Sequence, residues 1–411
     1  MIKKQISFFL LLIFCEFTFF AYSKQDTDKA LKEYISSMST EEKLSQFFLV
    51  SILETYQQYT DFTDVIPPGG YILFQYNFTG TPEQGVKLTG EIQKHYYEKQ
   101  KVPPFFAIDH EGGQVNRLRY IASPLASPQS IVSRVNLDTA YKIYHNAGIQ
   151  LKALGIQINL SPIAEVKGNH NAEFIGYRTF GRLQFVEDYG KTCINAYRDA
   201  GIYSVLKHFP GNTNDDPHYG LPVLSNSQEE INSLYIEPFK QLIKTSNPIG
   251  VLMSHAIVSS YEDTVPSCFS SIMVNTILKQ KLGFSKLVFS DDVLMKALSQ
   301  NGYSPSVAIE KAIRAGVHII MVSHHDYEKF IPDLVTLFNK DLEFQAIASD
   351  ALKVILETKV EMGLMEYVLK NGLIVLQPIP IEKRYNTVQQ VTQFLEAKEI
   401  GQKLYNQYWS N

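Results

Sequence analysis

Ile202–Phe209 reads IYSVLKHF, and Pro210–His218 after it reads PGNTNDDPH. The first stretch is short and nearly continuous in apolar and β-branched residues. A strand with one wet face alternates apolar and polar residues, whereas a strand covered on both faces, as in a parallel sheet, does not. Upstream, Val186–Ala200 carries the spacing of an amphipathic helix, and Ser227–Thr245 repeats it downstream. A buried strand between two such helices is the unit of a parallel α/β fold.

Working outward, the same unit recurs about eight times. The other strand-like runs are Phe47–Ser51, Gly70–Phe74, Phe105–Asp109, Ile156–Ile163, Ile249–Ala256, Leu287–Asp292 and His318–Ser323. Helical spacing fills Pro82–Gln100, Leu137–Leu154, Ile272–Lys281, Pro305–Ala315 and Phe344–Thr358. Thr81 and Ser304 stand as caps before Pro82 and Pro305, a favoured way to open a helix. Eight strand–helix units over about 330 residues predict a (β/α)8 (TIM) barrel. A doubly wound open sheet often carries a glycine-rich phosphate loop after its first strand, and this chain has none. The barrel is expected over residues 24–363. Residues 364–411 hold one apolar run, Leu373–Leu376, a Pro378–Pro380 break and an amphipathic stretch, Val388–Tyr408. They are too few for a second domain, so a tail packed on the barrel is expected.

Composition excludes several classes. Of 411 residues, 45% are hydrophobic, 12% aromatic and 19% charged, which rules out global disorder. A net charge of -4 gives no electrostatic reason for a nucleic-acid partner. Three cysteines, Cys15, Cys193 and Cys268, are too few for a disulfide framework or a thiolate zinc cluster. Met1–Ser23 has a basic start, an apolar stretch and small residues at Ala21 and Ser23, the pattern of a cleaved signal peptide. Phe14 is bulky where lipid attachment at Cys15 calls for a small residue, which argues against a lipid anchor. No later stretch is apolar enough to span a membrane. An exported, periplasmic or extracellular protein is expected.

In a barrel of this kind the chemistry sits at the C-terminal ends of the strands. The polar residues concentrate there: Asp109-His110-Glu111-Gly112-Gly113 with Arg117, Tyr177-Arg178, Lys207-His208, Ser254-His255 and Ser290-Asp291-Asp292. Each has a plain reading as a cap, a core residue or a surface charge. Five such clusters on one face are harder to explain by structure alone. A carboxylate on a rigid strand end near Lys207 and Arg178 stays ionised and can act as a nucleophile. His218, on the polar loop, titrates in the range suited to proton transfer, and Asp216 two residues earlier can orient it. A carboxylate nucleophile with a proton donor is the layout of a retaining glycosidase, although the general pattern uses two carboxyls.

At this point the chain resembles glycoside hydrolase family 3, in its branch of single-barrel β-N-acetylglucosaminidases. The motifs are MSTEEKLSQFFLVS, GGYILFQYN, IDHEGGQVNRL, IGYRTFG, LKHFPG and FSDDVLMKAL, in the family's order over about Leu31 to Gly363. The resemblance implies that Asp291 is the nucleophile of a covalent glycosyl-enzyme, with its neighbour Asp292 the less favoured candidate. It implies His218 as general acid/base, Asp216 as its partner, and Asp109, Arg117, Arg178, Lys207 and His208 as holders of the sugar. It carries no role for His255, His324 or His325. Two departures stand out. The loop from Asn212 to His218 is two residues shorter than usual, with Pro217 where serine is common. Glu165 replaces the usual Asp, from which little consequence is expected. Many β-glucosidases of the family add a C-terminal domain for which this chain has no room.

The expected activity is therefore removal of terminal β-linked N-acetylglucosamine from chitin-type oligosaccharides or muropeptides, with no metal or other cofactor. A metal-dependent barrel hydrolase built on His208, His218, His255 and the aspartates is the less favoured alternative, because strand one ends without an HxH pair. A non-catalytic sugar-binding envelope protein is the other alternative, which the altered loop permits.

Overall fold

The computed structural model describes residues 22–52, 66–216 and 219–409. Eight parallel strands form one sheet: β1 (Phe48–Ser51), β2 (Gly70–Leu73), β3 (Phe105–Ile108), β4 (Ile158–Asn159), β5 (Tyr203–Phe209), β6 (Gly250–Met253), β7 (Leu287–Ser290) and β8 (Ile320–Val322). They lie side by side in chain order, and β8 returns to pair with β1, Phe48 facing Ile320. A parallel bridge between Phe289 and Ile319 joins β7 to β8 and completes the ring. The protein is a (β/α)8 barrel, and each strand coincides with one of the eight apolar runs. The strands are buried almost throughout, because helices cover their outer faces and side chains fill the interior.

Glycine placement helps to fill that interior. A Cβ at Gly250 would lie 2.5 Å from the Phe289 ring, and one at Gly70 would lie 2.4 Å from the Phe105 ring. Both strands therefore leave room for a neighbour's phenyl group, and the two rings meet edge to face at 6.4 Å. Below them Lys359 is fully buried and donates to Gln46 Oε1 at 2.7 Å and to the Pro103 carbonyl at 2.8 Å. Burial pushes its pKa well below the ordinary lysine value.

The outer helices include Pro82–Glu98, Leu137–Ala153, Leu183–Asp199, Pro305–Ala315 and Leu342–Glu361. Thr81 and Ser304 cap the first and fourth of these through their hydroxyls. The expected helix at Ser227–Thr245 runs on to Ser246 but contains a π turn, Ile231–Ile236, and Ile272–Lys281 is wound as π-helix throughout.

Past the barrel, β9 (Met365–Lys370), which the sequence reading did not mark, and β10 (Leu373–Pro378), which contains the Leu373–Leu376 run, form an antiparallel hairpin. Asn371 and Gly372 turn it with φ of +50° and +79°, as a two-residue hairpin loop requires. The final helix, Thr387–Trp409, packs along Pro82–Glu98 and Leu137–Ala153 and buries Phe394 completely. Residues 24–37 form a helix that packs against β10. The expected leader lies outside the described residues up to Ala21, and Cys15 with it; Ser23 caps the helix that follows. Among the described residues no helix is long and apolar enough to cross a membrane. Cys193 and Cys268 are both buried as free thiols.

Candidate active site

The ends of β3, β4 and β5 build one half of the site. After Asp109 the chain forms a tight hairpin, His110–Gly112 against Val115–Asn116, which brings Arg117 back toward β3. Gly112 has φ of +96°, and a Cβ there would lie 2.3 Å from the Ala126 carbonyl oxygen, so the turn requires glycine. Lys207, at the end of β5, is almost completely buried. Its Nζ reaches Asp109 Oδ1 at 2.5 Å and Glu111 Oε1 at 2.7 Å. Arg178 approaches the same Glu111 with two bonds of 2.9 Å. Arg117 stands 3.9 Å from Asp109 and lies over the Phe74 ring.

This is one charge network, and each member depends on the others. Burial would raise the Glu111 carboxyl, but Lys207 and Arg178 hold it far below the ordinary value. Burial would lower Lys207, but Asp109 and Glu111 outweigh it and Lys207 stays a cation. Asp109, Arg117, Arg178 and Lys207 are thus brought together as the sequence predicts. Glu111, which joins them, had no role in that reading.

His208 follows Lys207 and turns to Glu165 instead. Its Nδ1 lies 2.8 Å from Glu165 Oε1. Asn212 donates its amide to Glu165 Oε2 at 2.8 Å and its side chain to Oε1 at 3.3 Å. A carboxylate only accepts, so His208 Nδ1 donates and Nε2 is left for a ligand. Glu165 therefore fixes both the imidazole and the first residue of the 212–218 loop. The carboxylate at this position thus takes four contacts, one of them from the His208 amide at 3.3 Å, a role that the sequence reading did not give it. The loop also rests on the segment after β4: Asn214 Oδ1 accepts from the Glu173 amide and its Nδ2 donates to the Asn169 carbonyl. Asp216 is exposed at the loop's far end, and its carbonyl accepts from Tyr219 and Gly220 at 3.0 and 3.1 Å. His218 and Pro217 lie outside the described residues.

The other half is the end of β7. Asp291 sits recessed, with its amide bound to the Met253 carbonyl of β6 at 3.1 Å and its Oδ1 accepting from the Asp292 amide at 2.9 Å. Burial raises its pKa, but His255, His208, the Asp292 amide and Lys207 outweigh burial and hold it below the ordinary value. Asp292 differs. Its Oδ1 accepts from Leu294 and Ser323 amides at 3.0 and 3.2 Å, and its Oδ2 accepts from the Ser323 hydroxyl. Asp292 is thus a clip between β7 and β8, and burial raises its pKa. One of the two adjacent aspartates is tied up as an acceptor; the other stays an ionised carboxylate at the mouth.

Of the remaining histidines, His255 contacts Cys268 and the Asp292 carbonyl. His324 and His325 stack at 4.4 Å in the loop after β8, beside Asp326. Among the described residues this last trio is the one group of His, Cys, Asp and Glu close enough to share a metal ion; it includes neither His208 nor His255, and His218 of the metal-dependent alternative lies outside the described residues.

Residues 39–356 match the sequence profile of the glycosyl hydrolase family 3 N terminal domain. The chain is 31% identical over 273 residues to beta-hexosaminidase A of Pseudoalteromonas piscicida, covering 62% of this chain and 45% of that protein, so it spans under half of that relative's length. It is 33% identical over 259 residues to beta-hexosaminidase of Psychromonas ingrahamii, covering 61% of this chain and 74% of that one. The crystal structure of beta-N-acetylhexosaminidase from Beutenbergia cavernae superposes with a TM-score of 0.69 at 25% identity, over 79% of this chain and 99% of that one. A family 3 beta-N-acetylglucosaminidase from Paenibacillus shares the fold at 24% identity, with a TM-score of 0.72 over 88% of this chain and 69% of that one. A profile match over most of the chain, on a closed barrel with its charged residues gathered at one mouth, places the protein in glycosyl hydrolase family 3.

Proposed function

We propose that the protein is a retaining exo-β-N-acetylglucosaminidase with Asp291 as nucleophile. The observation that carries this reading is the division of labour at the end of β7, where Asp292 is bound up and Asp291 is ionised at the mouth. The names of the relatives support the N-acetylhexosamine preference. Asp109, Arg117, Arg178, Lys207 and His208 hold the terminal sugar. Carboxylate acceptors and cationic donors gathered at one end of the barrel suit a ring of hydroxyl groups, which both donate and accept. His218 protonates the departing glycosidic oxygen while Asp291 bonds to the anomeric carbon. His218 then takes a proton from water, which displaces Asp291 and yields the sugar with its anomeric configuration retained. Asp216 orients His218 and balances its charge. Chitin-type oligosaccharides and muropeptides are the substrate class, and export through Met1–Ser23 would bring the enzyme to them.

The test is hydrolysis of an aryl N-acetyl-β-glucosaminide beside the matching β-glucoside. Turnover of the N-acetyl substrate is expected to fall about a thousandfold or more in Asp291→Ala and strongly in His218→Ala. An inverted product, or equal rates on the two glycosides, would overturn the reading. Tight binding of N-acetylglucosamine without turnover would favour a sugar-binding protein.

A further inference from the structure

We propose that His255 is a positioning residue for the Asp291 carboxylate, and that the Cys268 thiol fixes which of its ring nitrogens carries the proton. The proposal rests on the reading of Asp291 as nucleophile.

His255 and Cys268 are both completely buried. His255 follows β6, and its Nε2 lies 3.0 Å from the Asp292 carbonyl oxygen. A carbonyl oxygen only accepts, so Nε2 carries a proton. We take the ring as neutral, so that Nδ1 is the acceptor and the imidazole bears on Asp291 through its dipole and not through a full charge. The atom facing Nδ1, at 3.1 Å, is Cys268 Sγ. Burial and the nearby Asp291 push the Cys268 thiol well above its ordinary value, so it remains S–H and is a donor. The two contacts therefore agree on one tautomer: Cys268 S–H to Nδ1, and Nε2–H to the carbonyl.

The pair is rigidly mounted. Cys268 lies in the turn Ser267–Phe269, and Ser267 donates both its amide, at 2.9 Å, and its hydroxyl, at 2.6 Å, to the Ala256 carbonyl next to His255. At the other end, Asp292 is held by its side chain to Ser323 and Leu294 and by its carbonyl to His255. Its amide then points at Asp291 Oδ1. Aim of the nucleophile thus depends on a relay from thiol to imidazole to backbone to carboxylate. The groups that bear on Asp291 are His255 after β6, His208 and Lys207 from β5, Cys268, and its neighbour Asp292. A buried polar chain of this kind keeps its geometry only while every member is satisfied.

Cys268→Val removes the donor at nearly constant volume, and Cys268→Ser restores one. The valine variant is expected to lose about tenfold in kcat with KM little changed, and serine to recover most of that loss. Ring 15N–1H spectra of histidine-labelled protein are expected to show His255 with its proton on Nε2 in the wild type and the serine variant, and a mixed state in the valine variant. This readout needs no turnover. An inactive wild type with the expected tautomer would count against the reading of the function and leave the relay standing. Wild-type kcat in Cys268→Val, or a His255 proton on Nδ1 in the wild type, would overturn the relay. Equal loss of kcat in the valine and serine variants, tracking equal falls in Tm, would also overturn it, since that would mark a merely structural contact.

Discussion

Glu111 shows how much a single residue can carry without being readable as functional. It stands inside the most recognisable motif of the chain, and its carboxylate joins Lys207 to Arg178. Its folded pKa lies far below that of an unfolded glutamate, so the stability it gives is complete above the unfolded value of about 4.3 and is lost as the pH falls from there. Glu111→Gln leaves two cations short of an anion and is expected to cost about 3–5 kcal/mol at neutral pH. The variant should also show a shallower loss of stability below the free-carboxyl range than the wild type, measured by urea unfolding at both pH values. Asp291 obeys the same sign for activity. Held below its ordinary value, it stays ionised down to pH below about 3.9, so an acid limb of kcat/KM near neutrality belongs to another group. Motif residues at strand ends were legible because the chemistry needs those residue types. The role of Glu165 was not, because it depends on β4 and β5 ending side by side, and Asn212 is 47 positions away in the chain. The two adjacent aspartates were told apart by the motif resemblance alone; the physical reason, that Ser323 faces only the second, needed the fold.

At the level of elements, the strands were the most legible part. Unbroken apolar runs with polar ends identify buried parallel strands, and all eight pair in chain order. The π-wound segments were not legible, since over ten residues an apolar pattern does not separate a 3.6-residue turn from a wider one. The Asn371-Gly372 turn carried a hairpin signal that short flanking runs obscured. Two predictions belong here. Gly250→Ala drives a methyl group into Phe289 and is expected to cost about 1–3 kcal/mol, read as a lower urea midpoint with an unchanged slope. Glu165→Asp retracts the carboxylate by one methylene, so it cannot serve both His208 and Asn212. Its kcat is expected to fall while Tm changes little, because the contacts it loses position the site and not the core.

For the whole molecule, a division at residue 363 separates barrel from tail in the sequence but not in space. The helix Lys24–Ser37 packs on β10, and the last helix lies across two barrel helices, so the tail is clasped to the rest of the protein at both its hairpin and its last helix. Asn146 and Ser130 each bind the final helix, at the Ala397 carbonyl and the Trp409 indole. Phe394→Ala empties a fully buried site and is expected to cost about 3–5 kcal/mol, checked by calorimetry.

Trp409 is the chain's sole tryptophan, and it sits at the very end of that clasp. Its indole nitrogen donates to Ser130 at 2.7 Å, and its ring lies against Tyr405 and Tyr408. Emission excited at wavelengths that the 24 tyrosines do not absorb is therefore a native optical gauge of one event, the seating of its last helix, with no label required. A red shift that precedes the loss of helical ellipticity on heating would time the release of the clasp separately from the melting of the barrel, and coincident curves would make the two a single cooperative unit.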